Sequence, residues 1–138
     1  MTDYVTHSEA DTEDVGRQLA AGLRAGQVLL LSGPLGAGKT ALTRGLASGL
    51  GCDVDAVSSP TFTLVQEYAG PIRLQHVDLY RLAPDEVDDL ALEDLLDDAV
   101  MVVEWPERWQ HAPADAIVVS IDVADETTRH IRVSRGGT

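Results

Sequence analysis

The run LLLSGPLGAGKTAL at residues 29–42 commits this chain to a strand, a glycine turn and a helix in immediate succession. QVLLLSG is a short, continuous apolar run, the pattern of a strand buried on both faces of a parallel sheet. KTALTRGLASGLG carries Leu42, Leu46 and Leu50 at four-residue intervals, one face of a helix, and Gly51 suits its end. Between the two, Gly33-Pro34-Leu35-Gly36-Ala37-Gly38-Lys39-Thr40 satisfies G-x-x-x-x-G-K-[ST], the phosphate-binding P-loop pattern.

Each residue type in that pattern has a chemical reason. Glycines let the backbone curl so that successive N–H groups point at phosphate oxygens. The helix that follows turns its positive N-terminal end toward the same anion. Lys39 is a compact charge on a flexible stem that can reach between terminal phosphates, and Thr40 offers a hydroxyl to Mg²⁺. The competing reading is a glycine-rich turn with an incidental lysine. Of the 10 Lys and Arg residues, however, Lys39 is the sole lysine. A chain that uses arginine everywhere else keeps lysine here for phosphate.

The length of 138 residues predicts one domain, 1–138, able to bury its own core. Aromatic residues make up 4% of the chain, so that core rests on Leu, Val, Ile and Ala. One cysteine, Cys52, excludes an internal disulfide and fits a reducing compartment. No apolar run approaches the roughly 20 residues of a membrane span, and MTDYVTHSEADTEDVG lacks a signal pattern. A cytoplasmic protein is expected. The formal charge of −13 repels phosphate backbones and anionic lipid, so nucleic acid would have to be held by a partner.

The rest of the chain reads as alternating elements. ADTEDVGRQLAAGLRAGQ predicts an amphipathic helix capped by Asp11 or Thr12 and stopped at Gly26. From residue 27 the order is β–α–(β–β)–α–β–α–β–β. Ser59-Pro60 marks a loop, after which TFTLVQEY and IRLQHVDLYRL form a hairpin around AGP. APDEVDDLALEDLLDDA reads as an acidic helix, VMVVEW as a buried strand, and PERWQHA as a helix opened by Pro106. AIVVSIDVADETTRHIRVSR is two β-branched strands around an ADET turn. The class is α/β, a P-loop NTPase-like three-layer domain with a mixed, mostly parallel central sheet and an antiparallel C-terminal strand pair.

A P-loop works with a carboxylate at the end of a neighbouring strand. Glu104 after VMVV and Asp78 after LQHV both stand at carboxyl ends of expected strands, the rim where α/β sheets bind ligands. The remaining acids, concentrated in DEVDDLALEDLLDD at 85–98, read as a solvated or docking face. The four histidines show no metal-ligand spacing. Trp105 and Trp109 fit a core, although Trp105 adjoins Glu104 and could wall a nucleotide pocket.

The chain contains no asparagine and no second lysine, so the Asn-Lys-x-Asp box that reads guanine cannot exist and adenine is expected. A small-molecule kinase would need an acceptor region and an Arg-bearing lid, and only Arg81 lies between the two strand carboxylates. A minimal ATPase acting on a partner, a kinase, and a nucleotide-gated adaptor without essential turnover remain as readings.

GPLGAGKT, SSPTFTLVQEY, HVDLYRL and VVEWPERW, in this order, resemble the TsaE (YjeE) family over about residues 8–110. The resemblance implies an ATPase with weak activity alone, needed to form threonylcarbamoyladenosine at position 37 of tRNAs reading ANN codons. It implies ATP and Mg²⁺ as cofactors and a TsaD–TsaB complex as partner, with tRNA reached only through that complex. It places Gly33, Leu35, Gly36, Ala37, Gly38, Lys39, Thr40 and Ala41 around phosphate, with Thr40 and Glu104 on the metal. Lys39, Glu104 and Asp78 become the catalytic set. Thr61 or Thr63 would sense the γ-phosphate, while Thr12 and Trp105 lie near the nucleotide. Pro34 departs from the family, which commonly carries an acid there, and proline has no N–H to offer phosphate.

Overall fold

The computed structural model describes residues 2–34, 36–53 and 65–135. Its spine is one seven-stranded sheet. The strands are β1 (Thr2–Thr6), β2 (Val28–Ser32), β3 (Val65–Tyr68), β4 (Arg73–Asp78), β5 (Ala99–Glu104), β6 (Ile117–Val123) and β7 (Arg129–Arg135). They lie in the order β1-β7-β6-β2-β5-β4-β3. The four central strands β6, β2, β5 and β4 run parallel, and antiparallel partners flank them on both sides. The mixed sheet with an antiparallel C-terminal pair is therefore as the sequence predicts.

Alternation along the central strands divides the core in two. Leu29, Leu31, Val100 and Val102 face α1 (Glu9–Ala20) and α2 (Lys39–Gly49), packing with Val15, Leu42 and Leu46. Val28, Met101 and Val103 face the opposite side and pack with Val87, Leu92 and Trp109. Both faces of β2 and β5 are covered, which is why their sequences are continuously apolar. Cys52 is a buried core residue.

The two long helices meet backbone to backbone. A Cβ at Gly45 would lie 2.0 Å from the carbonyl oxygen of Glu13, and one at Gly16 would lie 2.3 Å from that of Leu42. Small residues at both crossing points are thus a steric requirement. An Arg44–Glu13 ion pair at 3.1 Å closes the outer side of the crossing. This contact carries the start of α1 to the glycine turn before α2.

Several elements differ from the sequence reading. Ser8, not Asp11 or Thr12, caps α1: its Oγ accepts the N–H of Asp11 at 3.1 Å, while the Asp11 carboxylate accepts the N–H of His7. The helix ends at Ala20, and Gly26 serves a later turn at φ 93°. β1 has no counterpart in the sequence reading. The acidic segment 83–99 is not one helix but α3 (Pro84–Asp88) followed by a 3-10 turn at Leu92–Leu95, because Ala91 and Asp98 adopt φ 49° and 61°. PERWQHA likewise yields only a 3-10 turn, Pro106–Arg108. Left-handed residues cannot continue a right-handed helix.

Candidate functional site

The carboxyl ends of β2, β5 and β4 are level with one another. Register pairs Leu31 with Glu104 and Glu104 with Asp78. The glycine turn leaves β2 at this rim and delivers Lys39 as the first residue of α2. Gly36 and Gly38 take φ 78° and 107°, conformations that side chains resist. The N–H of Ala37 closes the turn onto the carbonyl of Pro34 at 3.1 Å. At Gly33 the constraint is space, since a Cβ would lie 2.8 Å from the carbonyl oxygen of Ile121.

Lys39 and Glu104 are both buried and form an ion pair, Nζ to Oε1, at 3.6 Å. The second carboxylate oxygen, Oε2, lies 2.5 Å from Nε2 of His76. A carboxylate only accepts, so Nε2 carries the proton. His76 is fully buried, and its Nδ1 has no hydrogen-bond partner among the described residues. His76 and Asp78 alternate onto the same face of β4, as Val102 and Glu104 do on β5. That periodicity aims histidine and both carboxylates at the side that α2 covers.

Asp78 sits beside the pair rather than within it, and its Oδ1 accepts the N–H of Tyr80 at 2.9 Å. Burial raises its carboxyl above the ordinary aspartate range. The Tyr80 N–H opposes that rise and the nearby Glu104 charge adds to it.

Trp105 covers the lysine, with Nζ 5.2 Å from the ring centroid. Tyr80 packs against the same indole, centroids 4.8 Å apart at 49°. Trp105 reaches this position at φ 60°, ψ 52°, a left-handed backbone that a bulky residue adopts only under constraint. Arg108 then donates to the carbonyl of Leu82 at 2.8 Å, and the N–H of Leu79 donates to the carbonyl of Glu104 at 3.2 Å. The segments HVDLYRL and VEWPER are thereby one structural unit. Trp109 points away into the second core layer.

Thr12 completes the rim from the α1 side. Its Oγ1 lies 2.9 Å from Oγ1 of Thr6, and its Cγ2 would lie 3.5 Å from a Cβ at Gly38. The structure thus brings Lys39, Glu104, Asp78, Trp105, Thr12 and the described part of Gly33–Ala41 to one rim. Leu35, Thr61 and Thr63 lie outside the described residues. Two residues that the sequence reading did not single out belong here. One is His76; the other is Arg129, whose guanidinium donates from Nε to the carbonyl of Ala37 at 3.1 Å and from Nη2 to that of Gly36 at 3.3 Å.

The donor set suits a magnesium nucleotide. Thr40 and Glu104 could supply oxygen ligands of the kind a small hard cation takes, and the turn could present a concave backbone to phosphate. Among the described residues no group of three His, Cys, Asp or Glu side chains could enclose a metal. A metal here would therefore rely on phosphate and water for most of its ligands.

Known proteins agree with this architecture. The family model for threonylcarbamoyl adenosine biosynthesis protein TsaE matches residues 6–131. A tRNA threonylcarbamoyladenosine biosynthesis protein TsaE from Streptomyces coelicolor is 47% identical, the match covering 88% of this chain and 88% of that protein. The protein of the same name from Nostoc sp. is 40% identical over 97% of this chain and 86% of its own. The crystal structure of YdiB from Bacillus subtilis superposes with a TM-score of 0.81 at 30% identity, covering 99% of this chain and 86% of that one. With the glycine turn, the buried Lys39–Glu104 pair and the fused HVDLYRL and VEWPER segments in place, this chain belongs to the TsaE family, named for threonylcarbamoyladenosine biosynthesis.

Proposed function

We propose that this protein binds and hydrolyses ATP in support of threonylcarbamoyladenosine formation at position 37 of tRNAs reading ANN codons. It acts on a TsaD–TsaB complex rather than carrying out the transfer itself. The observation that carries the proposal is the buried Lys39–Glu104 pair, 3.6 Å apart, at the rim where the glycine turn meets α2. A lysine buried against a carboxylate at that rim is poised to exchange one anion for another. When phosphate enters, Lys39 swings from Glu104 to the β/γ-phosphate oxygens, and the turn amides take up the remaining charge.

Thr40 and Glu104 are the residues that would hold a Mg²⁺ ion, which would offset phosphate charge when bound. His76 fixes one Glu104 oxygen, so the carboxylate keeps its aim once Lys39 has left. Asp78 orients the water that attacks the γ-phosphate, and its raised pKa makes it a stronger base than an exposed aspartate. Trp105 and Tyr80 form an aromatic wall that shields Lys39 from water. No glutamine or arginine finger accompanies this set in the sequence, so turnover alone is slow and the partner complex accelerates it. The charge of −13 fits a subunit that meets protein while its partners hold the tRNA.

The test is ATP hydrolysis by the purified protein, alone and with TsaD–TsaB, for wild type and Lys39→Ala. Stimulation by the complex that disappears in the variant is the expected result. Equal activity alone and in the mixture would remove the partner from the account, and transfer of phosphate to a small acceptor would replace it with a kinase.

A further inference from the structure

The geometry points to Arg129 as a positioning residue that holds the phosphate-binding turn in shape from the start of β7, an inference that rests on the nucleotide reading above. Arg129 opens β7, 92 residues after Ala37 in sequence. Its Nε donates to the carbonyl of Ala37 at 3.1 Å and its Nη2 to the carbonyl of Gly36 at 3.3 Å. Its Nη1 donates to the carbonyls of Asp125 at 2.8 Å and Thr128 at 3.1 Å. Of the five N–H donors on a guanidinium, four are thus spent on main-chain oxygens.

The direction of these bonds decides the role. A carbonyl and the N–H of the next residue lie in one peptide plane and point in opposite directions. Pinning the carbonyls of Gly36 and Ala37 therefore fixes two planes: one carries the Ala37 N–H, which closes the turn onto the carbonyl of Pro34, and the other carries the N–H of Gly38. Gly36 and Gly38 have no side chains to restrain them, and both sit at positive φ. A turn of this composition loses much conformational freedom when it orders around an anion. Arg129 removes part of that loss before any ligand arrives. It acts from the carbonyl side, so it is not an arginine finger.

The arginine is itself held. The Asp125 carboxylate accepts N–H groups from Thr127 at 3.0 Å and Thr128 at 2.8 Å, which closes the turn between β6 and β7. That turn presents to Arg129 the two carbonyls that anchor Nη1. The chain of contacts runs from Asp125 through the hairpin turn and Arg129 to the P-loop. It couples the C-terminal hairpin, which has no residue in the nucleotide chemistry, to the shape of the cradle.

The experiment measures Mg·ATP affinity by calorimetry and steady-state ATP hydrolysis for wild type, Arg129→Ala, Arg129→Lys and the exposed control Arg132→Ala. Loss of charge-assisted hydrogen bonds predicts that Arg129→Ala weakens ATP binding about 10-fold and raises KM in step, with kcat at saturation within about threefold. Arg129→Lys keeps the charge but not the fork and is expected to weaken binding at least about threefold. Arg132→Ala is expected to match wild type. Backbone hydrogen exchange in the nucleotide-free protein gives a second readout, faster at Ala37 and Gly38 in the variants and unchanged in β2 and β5. If Arg129→Ala does not fold, Arg129→Lys decides by the same measures. Wild-type affinity in a folded Arg129 variant overturns the inference alone. Absence of ATP binding by wild type overturns it together with the nucleotide reading.

Discussion

Lys39 and Glu104 face each other at 3.6 Å with almost no solvent contact, joined across two elements, the start of α2 and the end of β5. Separating them is costly unless another anion takes the place of the carboxylate beside Lys39. Removing one partner of such a pair strands the other in a poor dielectric, at a typical cost of about 3–5 kcal/mol. His76 moderates that cost for Glu104 by holding its second oxygen at 2.5 Å.

His76 therefore contributes to stability through a single buried hydrogen bond. His76→Ala is expected to lower unfolding free energy by about 1–3 kcal/mol, the usual cost of leaving a buried polar group unpaired. His76→Gln, which retains an N–H donor, is expected to recover part of it. Urea unfolding midpoints check this; an alanine variant as stable as wild type would mean that the Glu104 carboxylate does not depend on His76.

At Trp105 the backbone and the side chain pull in opposite directions. The left-handed conformation favours glycine, while the indole contributes contacts to Lys39 and Tyr80. Both Trp105→Ala and Trp105→Gly lose the ring, so their difference isolates the backbone. The glycine variant is expected to be the more stable by about 1 kcal/mol, read by chemical denaturation. An alanine variant equal to or more stable than the glycine variant would contradict the strained conformation.

Asp78 predicts a pH dependence of definite sign. Its carboxyl is raised in the folded state, chiefly by burial, so the folded protein binds the proton more tightly than the unfolded chain. The stability associated with this group is complete below the ordinary aspartate pKa and is lost as pH rises through the higher folded value. Asp78→Asn, which keeps an oxygen for the Tyr80 N–H, should therefore be more stable than wild type at pH 7, with the gain shrinking toward pH 3. ATP hydrolysis should fall in the same variant. A stability difference independent of pH would show that the carboxylate is not strained by its surroundings.

The α1–α2 crossing makes a steric prediction. A Cβ at Gly45 would stand 2.0 Å from a main-chain oxygen of Glu13, which cannot rotate aside. Gly45→Ala is expected to cost about 3 kcal/mol or more despite its higher helix propensity, lowering the thermal midpoint by about 10 °C. A midpoint within 2 °C of wild type, about the shift of a neutral surface change, would rule out the close approach.

How much of this was legible in the sequence depended on how local the cause was. β2, α2 and the β6–β7 hairpin follow from apolar period and turn residues, which the chain carries within a few positions. β1 does not, because TDYVT is a short edge strand whose strand character comes from pairing with β7. The leucines of 83–99 suit a helix, but Ala91 and Asp98 take left-handed conformations within it, and neither residue type announces that. At the site, Lys39, Glu104 and Asp78 were readable from a motif and from strand ends. His76 becomes part of it only through the register of β4 against β5, and Arg129 only through a contact 92 residues away. Their partners lie across the sheet, where no local pattern reaches.

Calorimetric titration of Mg·ATP into the purified protein, for wild type and Lys39→Ala, bears on the whole scheme at once. One site per chain is expected for wild type, with affinity at least about 10-fold weaker in the variant, the usual scale for a lost charge-assisted contact to phosphate. Both proteins should first be shown to be folded, since Glu104 loses its cation in the variant. No binding by the folded wild-type protein, or equal binding by both, would contradict the assignment of the glycine turn and Lys39 to nucleotide phosphate.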